Sequence, residues 1–193
     1  MKNAGTGNYY VGAAATDQAN RLQYSSAGKL RAVKLGNNLW EHTNFNSRLQ
    51  AVQLGLGTST SDSSTLKLDF TYGVKVGEVL DVTQNNGNTE SQTVTAPGLT
   101  LTQAYTYDEL NRLKTAIETK TGAETWKQVF TYDAFGNRTF AAATTLPVIN
   151  PQNENITNPS ISPANNRISA TGYDYDASGN LKCDPEHPCV SGT

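Results

Sequence analysis

Three Tyr-Asp pairs, Tyr107-Asp108, Tyr132-Asp133 and Tyr175-Asp176, are the groups in this sequence most able to do chemistry. Paired carboxylates can act as general acid and base or hold a metal, but both roles require them to converge on one site. These pairs instead recur once per similar segment, as turn chemistry would. His42 and His187 are the only histidines, and no serine or cysteine sits in a nucleophile elbow or triad context. The residues therefore predict no catalytic centre, no cofactor and a chain that is not an enzyme.

Cys183 and Cys189 flank Asp-Pro-Glu-His-Pro. Two cysteines cannot define a disulfide framework, though they can close one small loop. Cys183, His187 and Cys189 are alternatively three metal ligands in a short run, but without a second ligand pair they make a weak zinc pattern. A disulfide or two free thiols is the expectation, and no metal is assigned. Trp40 and Trp126 offer ring faces that could stack on a sugar. Core or cross-strand packing is the stronger reading for aromatics in a sheet.

The elements that must position these residues are read from internal repeats. Three segments align: Tyr105-Thr-Tyr107-Asp108-Glu-Leu-Asn111-Arg112-Leu113, Phe130-Thr-Tyr132-Asp133-Ala-Phe-Gly136-Asn137-Arg138 and Tyr173-Asp-Tyr175-Asp176-Ala-Ser-Gly179-Asn180-Leu181. Weaker copies are Tyr24-Ser-Ser-Ala-Gly28-Lys29-Leu30 and Phe70-Thr-Tyr72-Gly73, and Leu30-Arg-Ala-Val-Lys-Leu-Gly36 returns as Leu49-Gln-Ala-Val-Gln-Leu-Gly55. Aromatics at i and i+2 share one face of a strand, which should be buried. The Asp can accept backbone N–H bonds from residues just ahead and start a turn. Gly or Asn three positions on supplies the left-handed residue of a type I turn closed by a bulge.

This pattern predicts an all-β fold of antiparallel hairpins in an open, twisted, curved sheet. Repeat units are expected near 22–36, 43–55, 68–95, 105–120, 128–143 and 173–183, as one domain over 1–193. Further turns are read at Gly36-Asn37-Asn38, Asn46-Ser47 and Thr121-Gly122, giving one meander over 29–54 and another over 105–140. A hairpin turning at Asn86-Gly87 should pair 78–84 with 89–95. The Ser/Thr-rich stretch 58–64 and the proline-bearing stretch 146–163 read as loops. A helical face is conceivable over 108–119, but the aligned copies carry glycine at the same positions, which favours strand and turn.

The chain has 193 residues, 36% apolar and 17% charged, with a net charge of -2. Lys and Arg are scattered singly, so no footprint for a nucleic-acid backbone exists. No apolar run approaches the ~20 residues that span a bilayer, and none reads as a secretory signal near Met1. Membrane insertion and nucleic-acid binding are not expected.

The Tyr-x-Tyr-Asp-x-x-Gly segments resemble the repeats of the bacterial Rhs, or YD-repeat, proteins. In that family the repeats form long curved β-sheets that can close into a hollow shell, enclosing a C-terminal toxic domain or exposing a recognition surface. The resemblance implies a non-catalytic stretch of such a shell, outside the cell or at the surface of a bacterium. Its partners would be the rest of the shell and a C-terminal domain; a glycan is the alternative partner, in an adhesion module. With 193 residues the piece is too short to close, so exposed edges could pair two chains. Such repeats usually continue, so the chain is expected to be one stretch of a longer protein. Some members cut themselves at an acidic, proline- and glycine-containing motif. Asp184-Pro185 lacks the following glycines, so cleavage is not carried over.

Overall fold

The computed structural model describes residues 22–77, 79–140 and 154–189. The strands are β1 (Leu22–Tyr24), β2 (Leu30–Lys34), β3 (Trp40–Phe45), β4 (Ala51–Gly57), β5 (Leu66–Tyr72), β6 (Val74–Val76), β7 (Val79–Asp81), β8 (Thr89–Ala96), β9 (Leu99–Tyr107), β10 (Leu113–Lys120), β11 (Ala123–Tyr132), β12 (Arg138–Phe140), β13 (Asp174–Tyr175) and β14 (Leu181–Cys183). One helical turn, α1 (Glu154–Thr157), is added. Ten strands hydrogen-bond in the order β1-β2-β3-β4-β5-β8-β9-β10-β11-β12, and the two ends do not meet. The fold is the open antiparallel all-β sheet that the hairpin pattern predicts, and the two expected meanders are joined through β5 and β8.

Contacts divide the described chain into two compact units, residues 22–105 with 118–123 and residues 106–117 with 124–189. In the first unit the pairing register sorts side chains into rows on opposite faces. Thr43, Leu54, Leu68, Val94 and Leu101 lie directly across from one another, and so do Asn44, Gln53, Asp69, Thr93 and Thr102. The polar row is bonded sideways: Asn44 Nδ2 donates to Gln53 Oε1 at 3.0 Å, and Gln53 Nε2 to Asp69 Oδ1 at 2.7 Å. Thr93 and Thr102 share a hydroxyl bond of 3.1 Å. Alternating Thr and Leu or Val along β8 and β9 is what produces one apolar and one polar face.

The core is thin. Among the described residues the buried apolar side chains are Ala32, Val33, Ala116, Phe130, Ala170 and Cys183, and no large side chain is completely enclosed. A single layer can only half-bury its leucines by lateral packing.

The stretch 58–64 forms a loop ordered by Asp62. Its carboxylate accepts from Thr58 N at 2.7 Å, Thr58 Oγ1 at 2.8 Å and Ser64 N at 2.9 Å, and these bonds hold the acid well below the usual carboxylate range. The loop lies flat on β4. A Cβ at Gly57 would stand 2.3 Å from the Asp62 carbonyl oxygen, and one at Gly55 would stand 2.3 Å from the His42 ring. The Gly-Leu-Gly spacing of β4 is therefore the footprint of the loop.

The hairpin expected to turn at Asn86-Gly87 does not form. Gly77, at φ +64°, turns the chain earlier and pairs β6 with β7 instead. Asp81 then ends β7: its Oδ1 accepts from Thr83 N at 2.9 Å and caps a 3-10 turn over Val82–Gln84. That frees β8 to pair with β5 and β9. A nearer glycine and a capping acid supply the alternative turn, and the pairing of β8 with β5 selects it over the Asn-Gly signal. Of the expected loop 146–163, residues 146–153 lie outside the described residues; the remainder holds α1 and a lone bridge between Ile161 and Ile168. Residues 141–143 of the fifth repeat unit also lie outside them.

In the second unit the outer edge of β12 is blocked at one residue. Asn158 Oδ1 accepts from Phe140 N at 2.7 Å, and its Nδ2 donates to Phe140 O at 3.3 Å. A side-chain amide thus takes the place of a neighbouring strand, one of the ways an edge is kept from pairing with another chain.

Candidate functional site

The repeating feature of the structure is a five-residue turn. Its first N–H donates to the fifth carbonyl, and its fourth N–H donates back to the first carbonyl. This pair of bonds occurs at Ser25–Lys29, Leu35–Leu39, Asn46–Gln50, Asp108–Arg112, Asp133–Asn137 and Asp176–Asn180. The fourth residue always has positive φ: Gly28, Asn38, Leu49, Asn111, Gly136 and Gly179. This is a type I turn followed by a left-handed residue. Glycine and asparagine tolerate that conformation best, which explains five of the six residues.

The first residue of the turn supplies a side-chain acceptor wherever it has one. Asp108 Oδ1 takes the N–H groups of Leu110 at 3.0 Å and Arg112 at 2.9 Å. Asp133 Oδ1 takes those of Phe135 and Asn137, both at 2.9 Å, and Asp176 Oδ1 takes that of Asn180 at 2.8 Å. Asn46 and Ser25 play the same part toward Gln50 and Lys29. All three acids are pulled below the ordinary carboxylate value. For Asp108 the leading cause is the Arg112 backbone bond; for Asp133 and Asp176 it is the side-chain amides of Asn137 and Asn180. The carboxylates lie in three separate turns, each occupied with its own backbone.

The aromatic pair sits as the strand period requires. Phe130 is buried and packs on Phe140 at 5.2 Å between centroids, with the Arg138 guanidinium over both rings. Tyr105, Tyr107, Tyr132, Tyr173 and Tyr175 are half-buried. Burial raises the Tyr105 hydroxyl above its ordinary value, and the nearby Glu118 carboxylate adds to this. The residue between the aromatics faces the other way and pairs across its hairpin: Thr106 with Thr115 at 2.6 Å, Thr131 with Thr139 at 2.7 Å, and Asp174 with Lys182 at 3.7 Å.

The second tyrosine links one hairpin to the turn before it. Tyr132 Oη donates to Leu113 O at 2.8 Å, and Tyr72 Oη to Ala51 O at 2.9 Å. Each acceptor is the residue directly after a five-residue turn. Tyr72-Gly73 is thus a repeat whose own turn has been replaced by the insertion that carries β6, β7 and the 3-10 turn. In the C-terminal copy the Tyr175 hydroxyl accepts from Ile168 N at 3.0 Å, and Arg167 lies over its ring.

Cys183 and Cys189 are joined, with Cα atoms 5.3 Å apart. His187 Nδ1 lies 3.1 Å from Asp184 Oδ1, and the third group near the sulfurs is the Asp174 carboxylate. Sulfurs bonded to each other offer no thiolate to a metal. Trp40 in β3, beside Lys34 and Gly57, and Trp126 in β11 are both half-buried.

Several structural residues gave little sequence signal. Leu49 is the left-handed residue of a turn whose sequence, Asn46-Ser-Arg-Leu49-Gln50, carries no glycine; the self-match of Leu30 with Leu49 hides it by aligning a strand start with a turn. His42 is buried under the 58–64 loop, with Nε2 3.2 Å from Ser63 Oγ and Nδ1 unpartnered. This hydroxyl–imidazole pair has no acid on Nδ1 to orient it, as a hydrolytic triad would require.

No protein-family model matches the chain, and no curated protein matches it. It is similar to a chain in the structure of the Photorhabdus luminescens Tc holotoxin pore (mutation TccC3-D651A), with a TM-score of 0.40 and 13% identity over 83% of its length. It is similar to a chain in the crystal structure of TcdB2-TccC3-Cdc42, with a TM-score of 0.34 and 12% identity over 88%. It spans only 9% and 10% of those chains.

Proposed function

We propose that this chain is a non-catalytic stretch of an Rhs/YD-repeat protein, part of a β-shell that encloses or displays a C-terminal toxin or effector domain at or outside the surface of a bacterium. The observation that carries this reading is the recurrence of one turn six times among the described residues, with Tyr72 and Tyr132 each reaching from one hairpin to the turn before it. At Tyr72 and Tyr132 one repeat is secured to the one before it, so these residues serve array building, while the turn carboxylates are committed to backbone. Repeat arrays of this kind gain stability from neighbour contacts rather than from a central core.

The test is limited proteolysis of the parent protein. Deleting residues 105–140 should make the downstream domain sensitive to protease while leaving its own activity intact. Equal protection with and without those hairpins would overturn the proposal, as would the absence of further repeats in the gene that encodes the chain.

A further inference from the structure

We propose that Asn86-Gly87 is a covalent modification site, where the asparagine converts through a succinimide to aspartate and isoaspartate. It is the only Asn-Gly step in the chain. The structure takes it out of the hairpin role and leaves both residues exposed in the irregular segment before β8.

Three features favour ring closure. Gly87 has φ +102° and nothing within 4 Å of where a Cβ would stand, so the backbone nitrogen can approach the side chain unhindered. Asn86 Oδ1 accepts the Asn88 N–H at 3.0 Å, which draws electrons from the carbon under attack. The Gly87 N–H donates to a neutral amide oxygen, Asn85 Oδ1, at 2.9 Å rather than to a carboxylate. Asn46-Ser47 is the contrasting case. There Oδ1 makes the same bond to the N–H two residues ahead, Arg48, and is pinned further by the Gln50 N–H inside the five-residue turn. The succeeding residue also carries a Cβ.

Hydroxide removes the Gly87 amide proton, and that nitrogen attacks Asn86 Cγ. The N–Cγ bond forms, the Cγ–Nδ2 bond breaks, and ammonia leaves with a proton from water. Water then adds to the five-membered imide. Opening at Cγ yields aspartate, and opening at the main-chain carbonyl yields isoaspartate. The balance is amide plus water to carboxylate plus ammonium, with no oxidant or reductant.

The position gives the change a consequence. Asn85 anchors the inserted segment to the Asn46–Gln50 turn: its Nδ2 donates to Gln50 Oε1 at 2.7 Å, and its carbonyl accepts from the Arg48 guanidinium. Isoaspartate lengthens the main chain by one methylene immediately after that anchor, and either product adds a negative charge there.

The full chain should be incubated in mildly alkaline buffer and peptide-mapped by mass spectrometry, with isoaspartyl methyltransferase labelling as a second readout. The expected result is a one-dalton gain at residue 86, more than an order of magnitude faster than at Asn46. It should be absent in Asn86→Gln, whose larger ring closes slowly, and unchanged in Asn46→Gln. The proposal is overturned if folded protein shows no gain at 86 while urea-unfolded protein does, or if Asn46 reacts first.

Discussion

The Arg112 guanidinium lies 4.3 Å from the centre of the Tyr132 ring, and the Tyr132 hydroxyl reaches the carbonyl of the next residue, Leu113. The Arg112 Nε also donates to Asp108 Oδ2 at 2.7 Å. A turn carboxylate, a guanidinium and the tyrosine of the following hairpin thus form one connected chain within the second unit. Arg167 over Tyr175 repeats the stacking near the C-terminus.

Removing this link should weaken folding without altering strand content. Tyr132→Phe loses one hydrogen bond, about 0.5–1.5 kcal/mol, and Arg112→Ala loses the cation–π contact, about 0.5–1 kcal/mol at a partly exposed site. Urea unfolding of Arg112→Ala, Tyr132→Leu and their double variant should show positive coupling, since Tyr132→Leu, unlike Tyr132→Phe, removes the ring that Arg112 covers. Strict additivity would mean that the stacked geometry contributes nothing.

Leu49 and Gly136 make an opposed pair of turn substitutions. Leu49 holds φ +60° with an exposed side chain, so Leu49→Gly should raise the melting temperature or leave it unchanged, by relieving a left-handed strain of roughly 1–2 kcal/mol. Gly136 has φ +87° and open space where a Cβ would go, so Gly136→Ala should cost about 1–2 kcal/mol from backbone strain alone. Calorimetry that ranked the two in the reverse order would remove the left-handed position from the account of the turn.

Asp108, Asp133 and Asp176 have folded-state pKa values below those of the unfolded chain. The unfolded state therefore binds protons first, and the stability these acids contribute is fully present above about pH 3.9 and lost as pH falls through their lower folded values. Acid titration of stability should steepen in that window. The slope should flatten in the triple Asp→Asn variant, and an unchanged slope would assign acid sensitivity elsewhere.

Gly55→Ala should displace the His42 ring or the Ser63 hydroxyl, since its Cβ would fall 2.3–2.4 Å from both. Overpacking of this sort costs typically about 1–3 kcal/mol. In a His42→Ala background one of the two clashes is gone and the Ser63 hydroxyl can turn into the vacated space, so the same substitution should cost less in chemical denaturation. Equal costs in both backgrounds would show that the ring does not limit position 55.

Reduction of Cys183–Cys189 should free a short terminal loop, with a loss of about 2 kcal/mol expected from the loop length. Alkylation before and after reductant, read by intact mass, checks the bond directly. Labelling of both cysteines without reductant would refute it.

The local code for this fold is written in single repeats. Aromatic residues two apart define a strand face, and an acid followed by Gly or Asn defines a turn, because both depend on backbone periodicity and on hydrogen bonds spanning four residues. The all-β class and the turns at Asp108, Asp133 and Asp176 were therefore legible from the residues alone. What the tertiary structure decided were choices between local signals of similar strength. At Gly77 against Asn86-Gly87, pairing of β8 with β5 settled where the chain would turn. At Leu49, strand pairing on both sides forced a leucine into a conformation that its own propensity opposes. Gly55 and Gly57 read as weak spots in a strand until the 58–64 loop is laid across them, and Asn158 is an ordinary polar residue until Phe140 presents it with an unpaired edge. Contacts between residues far apart in sequence leave no periodic trace, so only the folded chain could reveal them.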